Sequence, residues 1–258
     1  MKSLKVLACA ACLLGTVSSV GFAKNVQTIA GSMVVPNNVN VVSASKTNTR
    51  DFVEKQLNEN PSKSKATNMM MEELFKNFGT TFDVYQLKGA DKTGQKDALV
   101  VAVDVKQIAQ QVAKGKANDP MFVAAMAALD KGQIDPVTEQ LMLGAINKQI
   151  PTSTTVVPLN DPTRYAHIKS PSGKMLVQPR TLTVENAEQV HPVAGTKYQT
   201  YAASSRLLYA DGNVQTPLYA NAAFVLKPGK PVLYVGVTTD VQRDYFKPIF
   251  DNAYKSIK

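Results

Sequence analysis

The chain has 258 residues, 44% of them hydrophobic and 19% charged, with a formal net charge of +9. That hydrophobic share excludes wholesale disorder, and 14 glycines with 14 prolines are too few for a fibrous or low-complexity chain. Beyond the N-terminus no apolar run reaches about eighteen residues, which excludes a helical membrane span there.

The first predicted element is an export signal. Met1-Lys2-Ser3-Leu4-Lys5 is a short basic start, and Val6 to Val17 is mostly apolar. Gly21-Phe22-Ala23 places small residues where a signal peptidase reads them. The apolar stretch is too short to cross a bilayer and stay. A lipobox does not fit either. Cys9 lies too close to the N-terminus, and Cys9-Ala10-Ala11 before Cys12 lacks the expected Leu-like residue. The reading is a signal peptide over 1–23, cleavage after Ala23, and a periplasmic or secreted mature chain.

Cleavage removes both cysteines. The mature chain then has no disulfide, Cys nucleophile, thiolate metal site or iron–sulfur cluster. It must rest on a hydrophobic core, which its length permits. Lys2 and Lys5 also leave, but a cation excess remains. Outside the cytosol such an excess aids solubility, or faces anionic lipid headgroups, wall polymers or acidic proteins rather than nucleic acid.

Residues 24–66 read as an N-terminal segment. Positions 24–32 are polar and loose. Met33 to Pro36 and Val39 to Val42 form a strand pair around Asn37-Asn38. Thr47 to Leu57 is a helix, and Asn58 to Ala66 a loop holding Pro61. From 67 to 258 the pattern is one α+β domain. Met69 to Phe78 is a helix with Met70, Met71, Leu74, Phe75 and Phe78 on one face, stopped by Gly79. Met69, Met70 and Met71 point in three directions and act as core filler, not as a soft-metal site.

Phe82 to Leu87 alternates as a strand. Ala98 to Val103 is continuously apolar and reads as a strand buried on both faces, with 89–97 as the polar hairpin loop between them. Asp104 to Lys114 is a helix with Val105, Ile108, Ala109 and Val112 inward. Asp119-Pro120 and Asp135-Pro136 each set an N-cap acceptor before a first-turn proline. They open a helix over Met121 to Leu129 and another running to about Gln149, a helical hairpin inserted at about 119–149.

Val156 to Leu159 and Lys174 to Val184 are extended, the second interrupted by Pro179. Lys197 to Tyr209 and Val214 to Leu226 flank the turn Asp211-Gly212-Asn213. Pro228-Gly229 suits a type II turn into a third strand, Pro231 to Val237. The result is an antiparallel meander. Thr239 to Gln242 fits a capping box for a final helix. That helix carries Val241, Tyr245, Phe246, Ile249, Phe250, Ala253 and Ile257 on its sheet-facing stripe, with Pro248 kinking it or marking its start. The fold class is therefore α+β: an antiparallel sheet with a C-terminal three-stranded meander, packed by a helical hairpin and a C-terminal helix.

No catalytic residue is assigned. There is no Gly-x-Ser-x-Gly elbow. His167 and His191 have no metal-ligand spacing, so no metal is assigned, and exposed or hydrogen-bonded structural histidines are expected. Ser43 to Lys46, Ser62 to Lys65 and Lys92-Thr93-Gly94 match elements of penicillin-recognising enzymes, but fall in loop-like stretches without a Ser-Asp-Asn partner. Ser170 to Lys174 lacks the leading glycine of a phosphate loop and opens no helix. Glu185 and Glu188 lie in a polar segment with nothing to shift a carboxyl pKa. No cofactor is implied.

The meander offers the binding candidates. Ala202, Ala203, Ser204 and Ser205 face Ala220, Ala222 and Ala223 as small rows, with Tyr198, Tyr201, Tyr209, Tyr219 and Tyr234 around them. Small residues leave a hollow or let a helix pack flush, and tyrosines give an apolar body with a polar tip. Tyr198, Tyr201, Tyr219 and Tyr234 are the ligand-binding candidates of one reading. A terminal helix seated on the small row is the other.

The stretch from Val232-Leu233-Tyr234-Val235-Gly236-Val237 to Tyr245-Phe246-Lys247-Pro248-Ile249-Phe250 and Lys255-Ser256-Ile257 resembles the last part of PsbP-like α/β/α sandwich proteins. The likeness covers the final third by pattern, without a diagnostic motif. It implies a small exported module with a central antiparallel sheet that serves as an assembly or binding subunit. The functional expectation is an exported, non-catalytic binding or assembly module of the cell envelope, with an envelope protein or small ligand as partner. The alternative is an envelope-associated hydrolase whose site, drawn from groups such as His167, His191, Glu185 and Asp161, assembles only in three dimensions. Attachment to an anionic surface is a third possibility.

Overall fold

Strands β4 (Phe82–Asp91) and β5 (Gly94–Asp104) pair antiparallel around Lys92-Thr93, with Asp91 opposite Gly94. The Asp91 carboxylate accepts from the Thr93 amide at 2.7 Å and the Thr93 hydroxyl at 2.6 Å, which locks the turn. Gly94 takes the positive φ, +116°, that follows. The strands thus run through most of the stretch expected as a polar loop over 89–97. Along β5, Ala98, Val100 and Ala102 are buried while Leu99 is 38% exposed and Val101 and Val103 are half-buried. The strand is fully covered on one face, not on both.

This is a computed structural model, and it describes residues 23–29, 31–44, 82–112, 120–150, 154–158, 172, 180–211 and 213–257. The expected export signal, the helices over 47–57 and 69–78 and the loop over 58–66 lie outside the described residues, apart from Ala23.

The architecture is α+β. β1 (Ala23–Thr28) and β2 (Gly31–Pro36) form a separate hairpin. β3 (Asn40–Ala44) pairs with β4. After β5 come α1 (Val105–Val112), α2 (Pro120–Lys131) and α3 (Pro136–Gln149). Then follow β6 (Thr155–Pro158), β7 (Arg180–Glu185), β8 (His191–Pro192), β9 (Thr200–Asp211), β10 (Val214–Val225) and β11 (Val232–Thr239). A 3₁₀ turn, Asp240–Gln242, leads into α4 (Arg243–Lys255). The main sheet has the order β3-β4-β5-β11-β10-β9-β7-β6, with β8 also on β9, and every pairing is antiparallel. The expected meander is β9–β10–β11. Pairing of β11 with β5, from Val232 opposite Asp104 to Thr238 opposite Ala98, joins the two halves of the chain into one sheet. No helix among the described residues is long and apolar enough to cross a membrane.

The core lies between one sheet face and α4 with the β1–β2 hairpin. Phe246, Ile249, Phe250, Ala253 and Tyr254 of α4 and Ile257 beyond it are buried against Tyr85, Leu87, Val100, Ala102, Tyr219, Ala223 and Tyr234. Val241 is 90% exposed and does not belong to the stripe. The capping box does not form either: Thr239 makes no side-chain cap bond, and the Gln242 side chain instead accepts from the Asp97 amide at 2.9 Å. Pro248 sits inside α4 and removes one intrahelical donor.

Gly236 explains how α4 comes so close. A Cβ there would fall 2.5 Å from the Phe250 ring. Gly236→Ala should therefore cost about 1–3 kcal/mol through overpacking. The check is urea unfolding at unchanged m-value; a midpoint equal to wild type would mean that α4 does not press on β11 there.

The N-terminal segment departs most from expectation. Met33 to Pro36 and Val39 to Val42 are not partners, and 24–32 is not loose. β2 pairs with β1, while β3 joins the large sheet. The turn between them closes with the Val39 amide on Pro36 O, and Met33, Val35 and Val39 are fully buried. Hydrogen bonds far apart in sequence hold the hairpin down. The Ile29 amide donates to Asp83 Oδ2 at 2.7 Å, and the Val34 amide to Ser256 Oγ at 2.8 Å.

Candidate functional site

The four candidate tyrosines do not line one groove. Strand alternation puts Tyr219 and Tyr234 on the α4 side, where both are buried in the core. Tyr201, opposite in direction to the core residue Ala202, is buried on the other face, while Tyr198 is half-buried in the loop before β9. The Tyr234 hydroxyl lies 2.9 Å from Thr28 Oγ1, which itself donates to Gly31 O. The Tyr219 and Tyr201 hydroxyls are buried without a hydrogen-bond partner among the described residues. The small rows split in the same way. Ala202 opposite Ala223, Ser204 opposite Asn221 and Gly236 opposite Asn221 lie beneath α4. Ala203 opposite Ala222 and Ser205 opposite Ala220 face away from it.

Burial raises the tyrosine pKa values. It pushes Tyr234 up to about 12, and with the nearby Glu139 charge it pushes Tyr201 up to about 12 as well. Tyr85 and Tyr254 are raised by burial and then by the carboxylates Asp83 and Asp251. A raised tyrosine pKa means that the folded state keeps a proton which the unfolded chain releases near pH 10, so stability falls as pH climbs through the gap. We expect cooperative alkaline unfolding between about pH 10 and 12, with Tyr234 alone contributing about 2 kcal/mol of the loss by pH 12. Tyrosinate absorbance read beside circular dichroism checks this. All tyrosines titrating near pH 10 in an intact fold would contradict it.

One cluster of titratable groups stands under the edge of α4. Asp251 Oδ1 accepts from Asn221 Nδ2 at 3.0 Å and Tyr254 Oη at 2.9 Å, and Asp251 Oδ2 pairs with Lys247 Nζ at 3.1 Å. Burial works against the Lys247 ammonium, but its hydrogen bond to Asp251 and that carboxylate's charge outweigh it and raise its pKa. The adjoining cavity, near 10 Å³, has room for about one water. The cluster fastens α4 to β10 and offers no room for a substrate.

The groups named for a hydrolase do not converge among the described residues. His191 is exposed on β8, its Nδ1 3.2 Å from Gln189 O. Glu185 lies 3.9 Å from Arg206, which also pairs with Asp240 at 3.2 Å. His167 and Asp161 lie outside the described residues. Among the described residues no three His, Cys, Asp or Glu side chains gather as metal ligands.

A groove of about 1050 Å³ lies between the α2–α3 turn and the segment before β9. Sequence pattern fixes its helical wall. Gly132, at φ +66°, ends α2 with its amide on Ala128 O at 3.0 Å, and Asp135 caps α3 by accepting from the Val137 and Thr138 amides. Those bonds, Thr138 first, hold the Asp135 carboxyl below the usual carboxylate range. The turn is then tied to the sheet at three places. Gly132 abuts Pro228, where a Cβ would sit 2.6 Å from the Pro228 nitrogen, and the Gly229 amide donates to Asp130 O at 3.1 Å. Gln199 accepts from the Ile134 amide at 2.8 Å and donates to Ile134 O and Glu139. Asn147 exchanges two hydrogen bonds with the Val190 backbone.

Lys131, at the end of α2, and Lys197, in the segment before β9, both line the groove, as do Ala127, Tyr198 and Pro228. The Lys197 ammonium lies 5.2 Å above the Tyr198 ring centre. Of the four tyrosines only Tyr198 reaches the groove. Its other residues carry no motif, because the groove joins positions 127–138, 197–199 and 228. The lining brings together two ammonium groups, one carboxylate, amide and hydroxyl groups and an aromatic ring. Protein-family models give no match to this sequence, and a search among curated proteins gives none either.

Proposed function

We propose that the chain is an exported, non-catalytic binding or assembly module of the cell envelope and that the groove at the α2–α3 turn is where it binds. The observation that carries this reading is how the helical hairpin is held. α3 buries none of its residues, and Val137 and Leu141 are 69% and 71% exposed. An element that adds so little to the core, yet is tied down by Gln199, Asn147 and Gly229, is kept rigid for what it presents.

The basic, apolar and small-residue pattern over 1–23 supports export. Cleavage after Ala23 costs β1 a single residue and leaves its pairs from Lys24–Val35 to Thr28–Gly31. The likeness to PsbP-like modules supports a role in binding rather than in turnover. The test uses mature protein to capture components of an envelope extract, with mass spectrometry of proteins and small molecules. A component retained by wild type and lost on Ala127→Trp, which sets a bulky ring into the groove, is the expected result. Turnover of a captured molecule that one polar substitution abolishes would overturn the reading, as would an uncleaved leader on chain purified from cytosol.

A further inference from the structure

Resting on that reading of the groove, we propose that its occupant is an acidic peptide segment of a partner protein, with carboxylates held between Lys131 and Lys197. Among the described residues neither lysine forms an ion pair, whereas Lys106 is already bonded to Asp130. Asp135, the carboxylate of the lining, is engaged by the Val137 and Thr138 amides at 3.1 and 3.0 Å. Asp135 keeps its negative charge but forms no ion pair with either ammonium group among the described residues. The lining also has apolar or aromatic surface, from Ala127, Ala128, Tyr198 and Pro228, beside the polar Gln133, Thr138 and Gln199. A chain that alternates carboxylates with apolar side chains satisfies both parts of the lining at once.

Size and shape select a peptide over other anions. At about 1050 Å³ the groove stands at the top of the range of small-molecule pockets, roughly 300–1,000 Å³, and suits an extended segment. A lipid surface is broad, and it meets protruding basic and apolar side chains rather than a recess. The tied turn also means that little ordering is needed on binding, so charge attraction appears as affinity.

The test is fluorescence anisotropy with mature protein and a fluorescein-labelled peptide alternating Glu with Leu. Binding should weaken at least tenfold, as a rough expectation, when Lys131 and Lys197 are both changed to Ala, and by a similar factor when Gln replaces Glu in the peptide. It should also weaken steeply as ionic strength rises to about 0.15 M. Both lysines are on the surface, so the double variant should keep the wild-type circular dichroism. Equal binding by the double variant, or equal binding of the Gln peptide, overturns the proposal. So does binding of polyphosphate or of anionic phospholipid vesicles without binding of the peptide. Ala127→Trp separates the two readings. If it blocks a Gln peptide that binds as well as the Glu peptide, the groove stands and the acidic occupant falls. If it affects neither peptide, the groove itself falls.

Discussion

Phe246→Ala should destabilise the protein by about 3–5 kcal/mol, the largest loss expected from a single substitution here. Phe246 is fully buried. Its ring stacks on Phe250 at 5.8 Å and meets Tyr245 edge-on at 4.9 Å, so truncation opens a cavity bounded by aromatic rings that cannot collapse into it. The consequences extend past α4. The helix covers the sheet together with β2, so its loss uncovers Met33 and Val35 as well. A stability of 5–15 kcal/mol is typical of domains, so a loss of this size is a large part of the whole. Urea unfolding checks the value. A loss below about 1 kcal/mol would show that α4 is not part of the cooperative core.

Asp83→Ala should cost about 1–3 kcal/mol, because it leaves the Ile29 amide without its acceptor and the Tyr85 hydroxyl with Gln27 O alone. Asp83 Oδ2 accepts from the Ile29 amide at 2.7 Å and from the Tyr85 hydroxyl at 3.0 Å. Tyr85 is almost fully buried, and its one hydrogen is shared with Gln27 O, also at 3.0 Å. Removal of the carboxylate leaves the Thr28–Tyr234 contact and the Tyr85–Gln27 bond to hold that end of the hairpin. We expect the β1–β2 amides to exchange far faster than those of β5 and β11, a local opening ahead of global unfolding. Uniform exchange in both sets would mean that the hairpin is held by apolar burial alone. Tyr85→Phe serves as the milder control, since it keeps the ring and the Ile29 bond.

The parts of the fold legible in sequence are those fixed by local chemistry. Pro228-Gly229 predicts a type II turn, and Gly229 has φ +70° with the Lys230 amide on Lys227 O. Asp135-Pro136 predicts a helix start, and Asp135 is its cap. The spacing of Phe246, Phe250 and Ala253 predicts the covered stripe of α4. What stayed hidden depends on partners far along the chain. Residues 24–32 read as loose because Asp83 and Tyr234, which hold them, lie fifty and more residues away. The Gln242 side chain fits a capping box by spacing, but a free amide on Asp97 competes for it.

The site was less legible than the fold. Tyrosine content singled out Tyr198, Tyr201, Tyr219 and Tyr234, yet strand parity divides them between two faces: the core takes Tyr219 and Tyr234, and Tyr201 is buried on the opposite face. The groove draws its walls from a helix end, a loop and a turn, and no spacing rule links Lys131 to Lys197 or Gln133 to Pro228. A Gly at the end of α2 and an unusually well-bonded Gln199 mark it only once the chain is folded.

The most direct measurement is an amide NMR titration of the labelled mature chain with the Glu–Leu peptide. The account predicts shifts concentrated at Gly132, Gln133, Ile134, Lys197 and Gln199, saturating with the peptide chemically unchanged at the end. Shifts scattered over the sheet with those five unmoved, or a peptide cleaved or modified during the titration, would contradict it.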